Sequence, residues 1–165
     1  MSDNLAFVPV TQCQSKVALA AGTTSTINTP GSPAGVTVYA IRSKMYSRAA
    51  GANLATPTTD FATGLAFLPI VANQGAVFVV GFDAAGTLRA MQGQIQALDI
   101  AGAFVLAPQF PIIPDTVCPV GYIVLRAGAT AVGNFVFGTN NLSGVTGLTY
   151  GFQDICSIPD RPQVA

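Results

Sequence analysis

The stretch that decides the fold is AVFVVGFDAAGTLRAMQGQIQALDIAGAFVL, Ala76 to Leu106. Its first seven residues, Ala76 to Phe82, are apolar at every position and bounded by turn residues, which reads as a strand buried on both faces. Thr87 to Leu98 alternates instead: Gln92, Gln94 and Gln96 share one face, Met91, Ile95 and Ala97 the other. Gly93, with Leu88 and Arg89 before it, interrupts that rhythm and marks a bulge or twist. AFVL, Ala103 to Leu106, is a third short strand. The connections repeat one phrase, Asp83-Ala84-Ala85-Gly86 and Asp99-Ile100-Ala101-Gly102. Asp suits the first position of a type I turn, where its side chain bonds backbone two residues on, and Gly at the end accepts positive φ. The unit is therefore a three-stranded antiparallel meander, with Asp83, Gly86, Asp99 and Gly102 in structural turn roles and the two glycines intolerant of β-branched substitution.

The same logic extends along the chain. Tyr122 to Leu125, within GYIVLRAG, is a second strand apolar on both faces, NFVFG around Phe135 a third, and LTYGFQDI a last one, with Leu148, Tyr150 and Phe152 on one face. Phe78, Phe82, Ile123, Leu125, Tyr150 and Phe152 are the core candidates. Pro108, Pro111, Pro114 and Pro119 exclude a helix and give an extended crossing segment. No stretch forms a long amphipathic helix. The fold class is all-β, a sandwich or barrel of short antiparallel strands.

The first 35 residues, rich in Thr, Ser, Ala, Gly and Pro, read as an extended N-terminal arm with a short strand near Lys16 to Ala20. One β domain then occupies residues 36–158, with a long connection at 49–75 that carries Phe61, Leu65, Phe67, Leu68 and Ile70 and has room for a short helix at Asp60 to Phe67; residues 159–165 are a Pro-bounded tail. Val36 to Ser47 favours strand by its β-branched and aromatic content. Arg42, Lys44 and Arg48 make the one local charge cluster, a solvated face or an interface for an acidic neighbour.

Composition bounds the function. The 165 residues carry 14 charges that sum to zero, 8% against a usual value of about 25%, with mean hydropathy +0.52 and no Glu, His or Trp. Sparse, balanced charge removes the repulsion that keeps free proteins apart, so the chain reads as a component of an assembly. Its apolar runs are far shorter than the roughly 20 residues of a spanning helix, MSDNLAFVPV has no basic region ahead of an apolar one, and nothing is strongly basic. The expectation is no membrane, no signal peptide and no nucleic-acid partner. Cys13, Cys118 and Cys156 match no zinc spacing and read as free thiols, a Cys118–Cys156 bridge being the alternative. Without His, Ser–His and Cys–His nucleophiles cannot be built, and Cys118 has no basic neighbour in sequence to activate it. No cofactor, metal or catalytic residue is expected, and the chain reads as a non-enzyme.

ATPTTD and TGLAFLPI (from Ala55 and Thr63), FVVGFDAAGTLRAMQGQI (from Phe78), FPIIPDTVCPVGYIVLRAGAT (from Phe110), FVFGTNN (from Phe135) and LTYGFQDICSIPDRPQ (from Leu148) together resemble small virion structural proteins of tailed bacteriophages. The likeness spans Thr56 to Gln163. It implies a capsid decoration (cement) role on the virion surface, a major capsid protein as partner, assembly in the host cytoplasm and a homo-oligomer, with a trimer at a three-fold position as the expected form. It carries over no functional residue. A tail, baseplate or head-fibre module that binds through loops near Asn140 to Gly147 is the second reading. An enzyme or ligand-binding barrel with two close Asp in a deep polar pocket is the third.

Overall fold

The computed structural model describes residues 9–32, 34–142 and 144–164. The first eight residues of the expected arm, its Pro33, Ser143 in the Asn140–Gly147 loop and the last residue of the tail lie outside them. Among the described residues there are eleven strands and no helix, so no helix is long and apolar enough to cross a membrane. The fold class is all-β with antiparallel sheets throughout.

The middle of the molecule is built on β7, Gln74–Asp83, and β10, Val117–Ala127. They pair antiparallel along their whole length, with Phe78 opposite Ile123 and Val124 opposite Val77. On one flank of β7 lie β8, Leu88–Gln92, and β9, Gln96–Ala97; on the far flank of β10 lies β11, Leu148–Asp154. Both faces of this sheet are covered, which explains two strands without polar alternation. Phe78, Val80, Phe82, Ile123 and Leu125 face one core. Val77, Val79, Met91, Tyr122 and Val124 face a second, closed by Phe104, by Phe110 and Ile113 of the proline-rich crossing, by Ile155 and Ile158 after β11 and by Val164 of the tail.

A bulge keeps these faces in phase. Gly81 pairs with Pro119 but Val80 pairs with Gly121, leaving Val120 as the extra residue. Without it, Tyr122 would turn into the first core and Ile123 out of it, because a one-residue slip exchanges faces. Proline inside a central strand is confined to such irregularities.

The larger core is roofed by two small sheets. One contains β1, Gln12–Cys13, β4, Val36–Ile41, and β5, Lys44–Ala49; the other contains β2, Ala20–Ala21, β3, Thr26–Thr29, and β6, Gly51–Ala55. The N-terminal stretch is extended, and its described part is tied to its own body. Val17 and Ile27 have no exposed surface, the Cys13 N–H donates to the Cys156 carbonyl at 3.0 Å, and the Leu19 N–H donates to Asp154 Oδ1 at 2.9 Å.

Several local readings need correction. The strand expected near Lys16 reduces to one bridge from Lys16 to Ser32, the pairing segments being β1 and β2. Val36 to Ser47 is not one strand but the β4–β5 hairpin, turning at Arg42 (φ 49°) and Ser43 (φ 65°). No Asn-Gly signal announces that turn. Tertiary bonds hold it: Ser43 N–H to the Val10 carbonyl at 2.7 Å, Val10 N–H to Ser43 Oγ at 2.9 Å and Arg42 N–H to Thr11 Oγ1 at 3.1 Å. The helix considered at Asp60 to Phe67 is a single turn, and NFVFG contributes one bridge, Phe135 to Ile70. In the meander, Gly93 to Ile95 does bulge between β8 and β9, both of which pair with β7. AFVL, however, forms one bridge at Phe104 and leaves, because Phe104 turns inward to pack over Gly75. Tyr150 is 38% exposed and lies at the rim rather than in the core, since β11 is an edge strand.

Candidate interaction surface

The two Asp-x-Ala-Gly phrases fold alike. Asp83 Oδ1 accepts from Ala85 N–H and Thr87 N–H, both at 2.9 Å, and the Gly86 N–H donates to the Asp83 carbonyl. Asp99 Oδ1 accepts from Ala101 N–H at 2.9 Å and Ala103 N–H at 2.8 Å, and the Gly102 N–H donates to the Asp99 carbonyl. Gly86 and Gly102 sit at φ 75° and 78°, the left-handed residue that completes a three-residue hairpin loop. The difference is Arg89, whose Nε donates to Asp83 Oδ2 at 2.9 Å.

Burial pushes the Asp83 carboxyl up, but the bonds from Thr87, Arg89 and Ala85 outweigh it, and the group lies below the ordinary carboxylate range. A depressed folded-state value stabilises above the unfolded value of about 3.9 and is lost as pH falls through the folded one. Asp83→Ala should therefore cost about 1–2 kcal/mol at pH 7, with a smaller gap from wild type in acid, below the ordinary carboxylate range. Urea melts at both pH values check this; an equal gap at both would contradict the role of the charge.

The basic residues are brought to one hairpin but face different ways. Arg42, at the turn rather than on a strand, pairs with Asp115 of its own chain. Lys44 lies over the Tyr46 ring, 5.5 Å from its centroid, and shares a shallow groove with Arg42, Ile41 and Thr116. Arg48 points inward: its guanidinium stacks 4.6 Å from the Phe82 centroid and its Nη1 donates to Thr29 Oγ1 at 3.2 Å. Burial lowers its pKa, with Tyr39 acting the other way. Only Arg42 and Lys44 thus present charge to solvent, which sequence spacing alone did not separate.

The remaining chemistry is structural. All three cysteines are free thiols, Cys118 buried and Cys156 exposed, so the alternative Cys118–Cys156 bridge is absent. Burial, reinforced by Cys13, pushes the Cys118 thiol up to about 12, the opposite of an activated nucleophile. Burial also raises Cys13, against a bond to the Ser15 carbonyl. Asp60 accepts from Ala62, Thr63 and Gln92 N–H groups, Asp115 holds Arg42 and Asp154 holds the Leu19 N–H. Among the described residues no three His, Cys, Asp or Glu side chains converge as metal ligands.

What the surface does offer is apolar. Ile100 is fully exposed at the tip of the second Asp turn, Ile112 is 85% exposed on the proline crossing, and Leu65, Leu68, Leu106 and Val132 are exposed as well. These positions were not singled out from the sequence as a surface set. Their signal was available as large apolar residues inside turn-rich or Pro-rich segments, where no core face exists for them. Comparison with known proteins adds no relative: no family model, no curated protein and no solved structure matches the chain.

Proposed function

We propose that this chain is a non-enzymatic structural protein of a bacteriophage virion, a decoration protein that binds the head shell through apolar, shape-complementary contacts. The observation that carries the reading is the combination of a charge-poor chain with large apolar side chains left on loops around a closed double core. Such side chains are costly on a free protein and useful on one captured in a lattice. The sequence resemblance points the same way. Repeated copies on a symmetric shell multiply a weak single contact into firm attachment, so no one site has to be strong. The shell partner is the major capsid protein, and Ile100, Ile112 and Leu65 are the side chains assigned to it.

The test is antibody labelling of particles purified from cells that produce the protein. Signal distributed over the whole head is the expected result. Signal restricted to the tail would replace this reading with a tail or baseplate role, and absence from particles would end both.

A further inference from the structure

The central sheet ends on one side in the edge strand β11, whose outward backbone groups at Tyr150 and Phe152 meet no described residue. Ile155 N–H donates to the Val120 carbonyl and Gly128 N–H to the Gly147 carbonyl, so odd-numbered residues of β11 direct their backbone groups toward β10. Tyr150 and Phe152 therefore direct theirs outward, and no described residue bonds to them. Thr149 through Gly151 and Gln153 are exposed.

The other sheet edges are guarded. β8 is closed by the 58–68 loop, with Phe61 N–H on the Ala90 carbonyl at 2.9 Å and the Gln92 side chain bonded to Leu68 at both its amide atoms. β5 carries Lys44, β2 has two residues, and β6 is distorted by Asn53 at φ 51°. Natural edges are blunted by charge, shortness or distortion of this kind. β11 has seven residues, no Lys, no Pro and no bulge; its one charge, Asp154, is occupied by Leu19 N–H.

The sequence of that edge is matched to itself. A two-fold axis through Gly151 places Tyr150 opposite Phe152 of the partner subunit, so the outward groups of one strand meet the outward groups of the other in hydrogen-bonded register. It also stacks an aromatic pair across the seam twice. Gly151 meets Gly151 of the partner subunit, and an added Cβ there finds no atom within 4 Å in its own chain. We propose that β11 pairs antiparallel with β11 of a second copy, joining two central sheets into one, in place of the three-fold arrangement that the resemblance implies.

A seam of seven residues is only about 24 Å long and falls below the about 800 Å² per partner of a stable interface. The pair is accordingly reversible and firm only where copies are concentrated. This inference does not depend on the virion role and is tested in solution with the full chain.

Sedimentation from about 5 to 500 μM should carry the average mass from the 16.8 kDa of one chain toward twice that value. Tyr150→Lys, which leaves bonding to β10 intact and puts charge beside its own symmetry mate, should raise the dissociation constant at least tenfold with an unchanged circular dichroism melt. The register is tested separately. Gly151→Cys in a Cys156→Ser background brings two thiols together at a non-hydrogen-bonded pair, about 4.5 Å between Cα atoms and inside the disulfide range. Glutathione disulfide should link them: one sulfur–sulfur bond forms as the reagent's is cleaved, and two electrons and two protons leave with two glutathione thiols. A wild-type chain that stays monomeric at 500 μM, a trimer, a Tyr150→Lys variant that dimerises like wild type, or a Gly151→Cys thiol that does not cross-link would each overturn the proposal.

Discussion

Alanine at Gly121 should lower the melting temperature by about 10 °C, corresponding to about 3–4 kcal/mol. The residue follows the β10 bulge, where three segments converge. A Cβ there would stand 2.6 Å from the Gln153 carbonyl oxygen of β11 and press into the Leu19 side chain. Leu19 can rotate, but the Gln153 carbonyl belongs to a paired strand and moves only with the sheet, so the clash is relieved by displacing β11 or by opening the bulge. Gly81, across the β7–β10 pair, is comparably confined, its Cβ meeting the Cys118 carbonyl and lying 2.7 Å from Val117 Cγ1. Gly151→Ala supplies the control, since nothing lies within 4 Å and its φ is ordinary; it should change stability by less than about 0.5 kcal/mol. Differential scanning calorimetry of Gly121→Ala, Gly81→Ala and Gly151→Ala decides the matter. Equal melting temperatures for Gly121→Ala and Gly151→Ala would show that the crossing is looser than its geometry.

The second large effect belongs to Asp60, 6% exposed yet carrying a carboxylate. Its Oδ1 accepts from Ala62 N–H at 2.8 Å and Thr63 N–H at 3.0 Å, closing the turn of the 58–68 loop. Its Oδ2 accepts from Gln92 N–H at 2.6 Å, fastening that loop to the outer edge of β8. Hydrogen bonds to a charged acceptor contribute about 1.5–3 kcal/mol each, and a buried donor left without a partner costs more than the bond itself contributed. Asp60→Ala should destabilise by about 3–4 kcal/mol and raise hydrogen exchange at Gln92 and Phe61, the two amides that fasten loop and strand together. Asp60→Asn keeps one acceptor and turns an amide donor toward either the turn or Gln92, so it should fall about midway. A loss confined to the loop amides, with Gln92 still protected, would mean that the turn and the edge are not coupled.

These two positions also show how far residue patterns carry. The apolar runs around Phe78 and Ile123 announced the central strands because a sheet covered on both faces leaves no polar alternation to interpret. The repeated Asp-x-Ala-Gly phrase announced its turns because the bonds that make them are local, within four residues of Asp83 and Asp99. Asp60 looked like the start of a short helix, since the Gln92 amide that completes its bonding is 32 residues away. The Arg42-Ser43 turn was hidden for the same reason: it is held by Val10 and Thr11 rather than by its own residue types. The phase shift at Val120 left no trace in composition, and Tyr150 looked like core because its face of β11 is apolar while its place at the sheet edge is a property of topology. Ile100, Ile112 and Leu65 carry a sequence signal as large apolar residues in turn-rich or Pro-rich segments, and their exposure follows from cores that close without them.

The hydrogen bond from the Cys13 N–H to the Cys156 carbonyl, and that from the Leu19 N–H to the Asp154 carboxylate, join residues 143 and 135 positions apart. A growing chain therefore lacks these two anchors until residues 154–156 have been made, and β7 waits for β10 before its second flank is paired. The two small sheets pair within residues 12–55, but the central sheet that they cover is made of later residues. Until β10 and β11 emerge, the AVFVVGF strand has one covered flank and two apolar faces, the form of intermediate that associates most readily with its own kind. Contacts this distant place the chain among slow folders, milliseconds to seconds once released. The yield of correctly folded protein should then be governed by how many nascent copies are present at once, more than by the stability of the finished sheet.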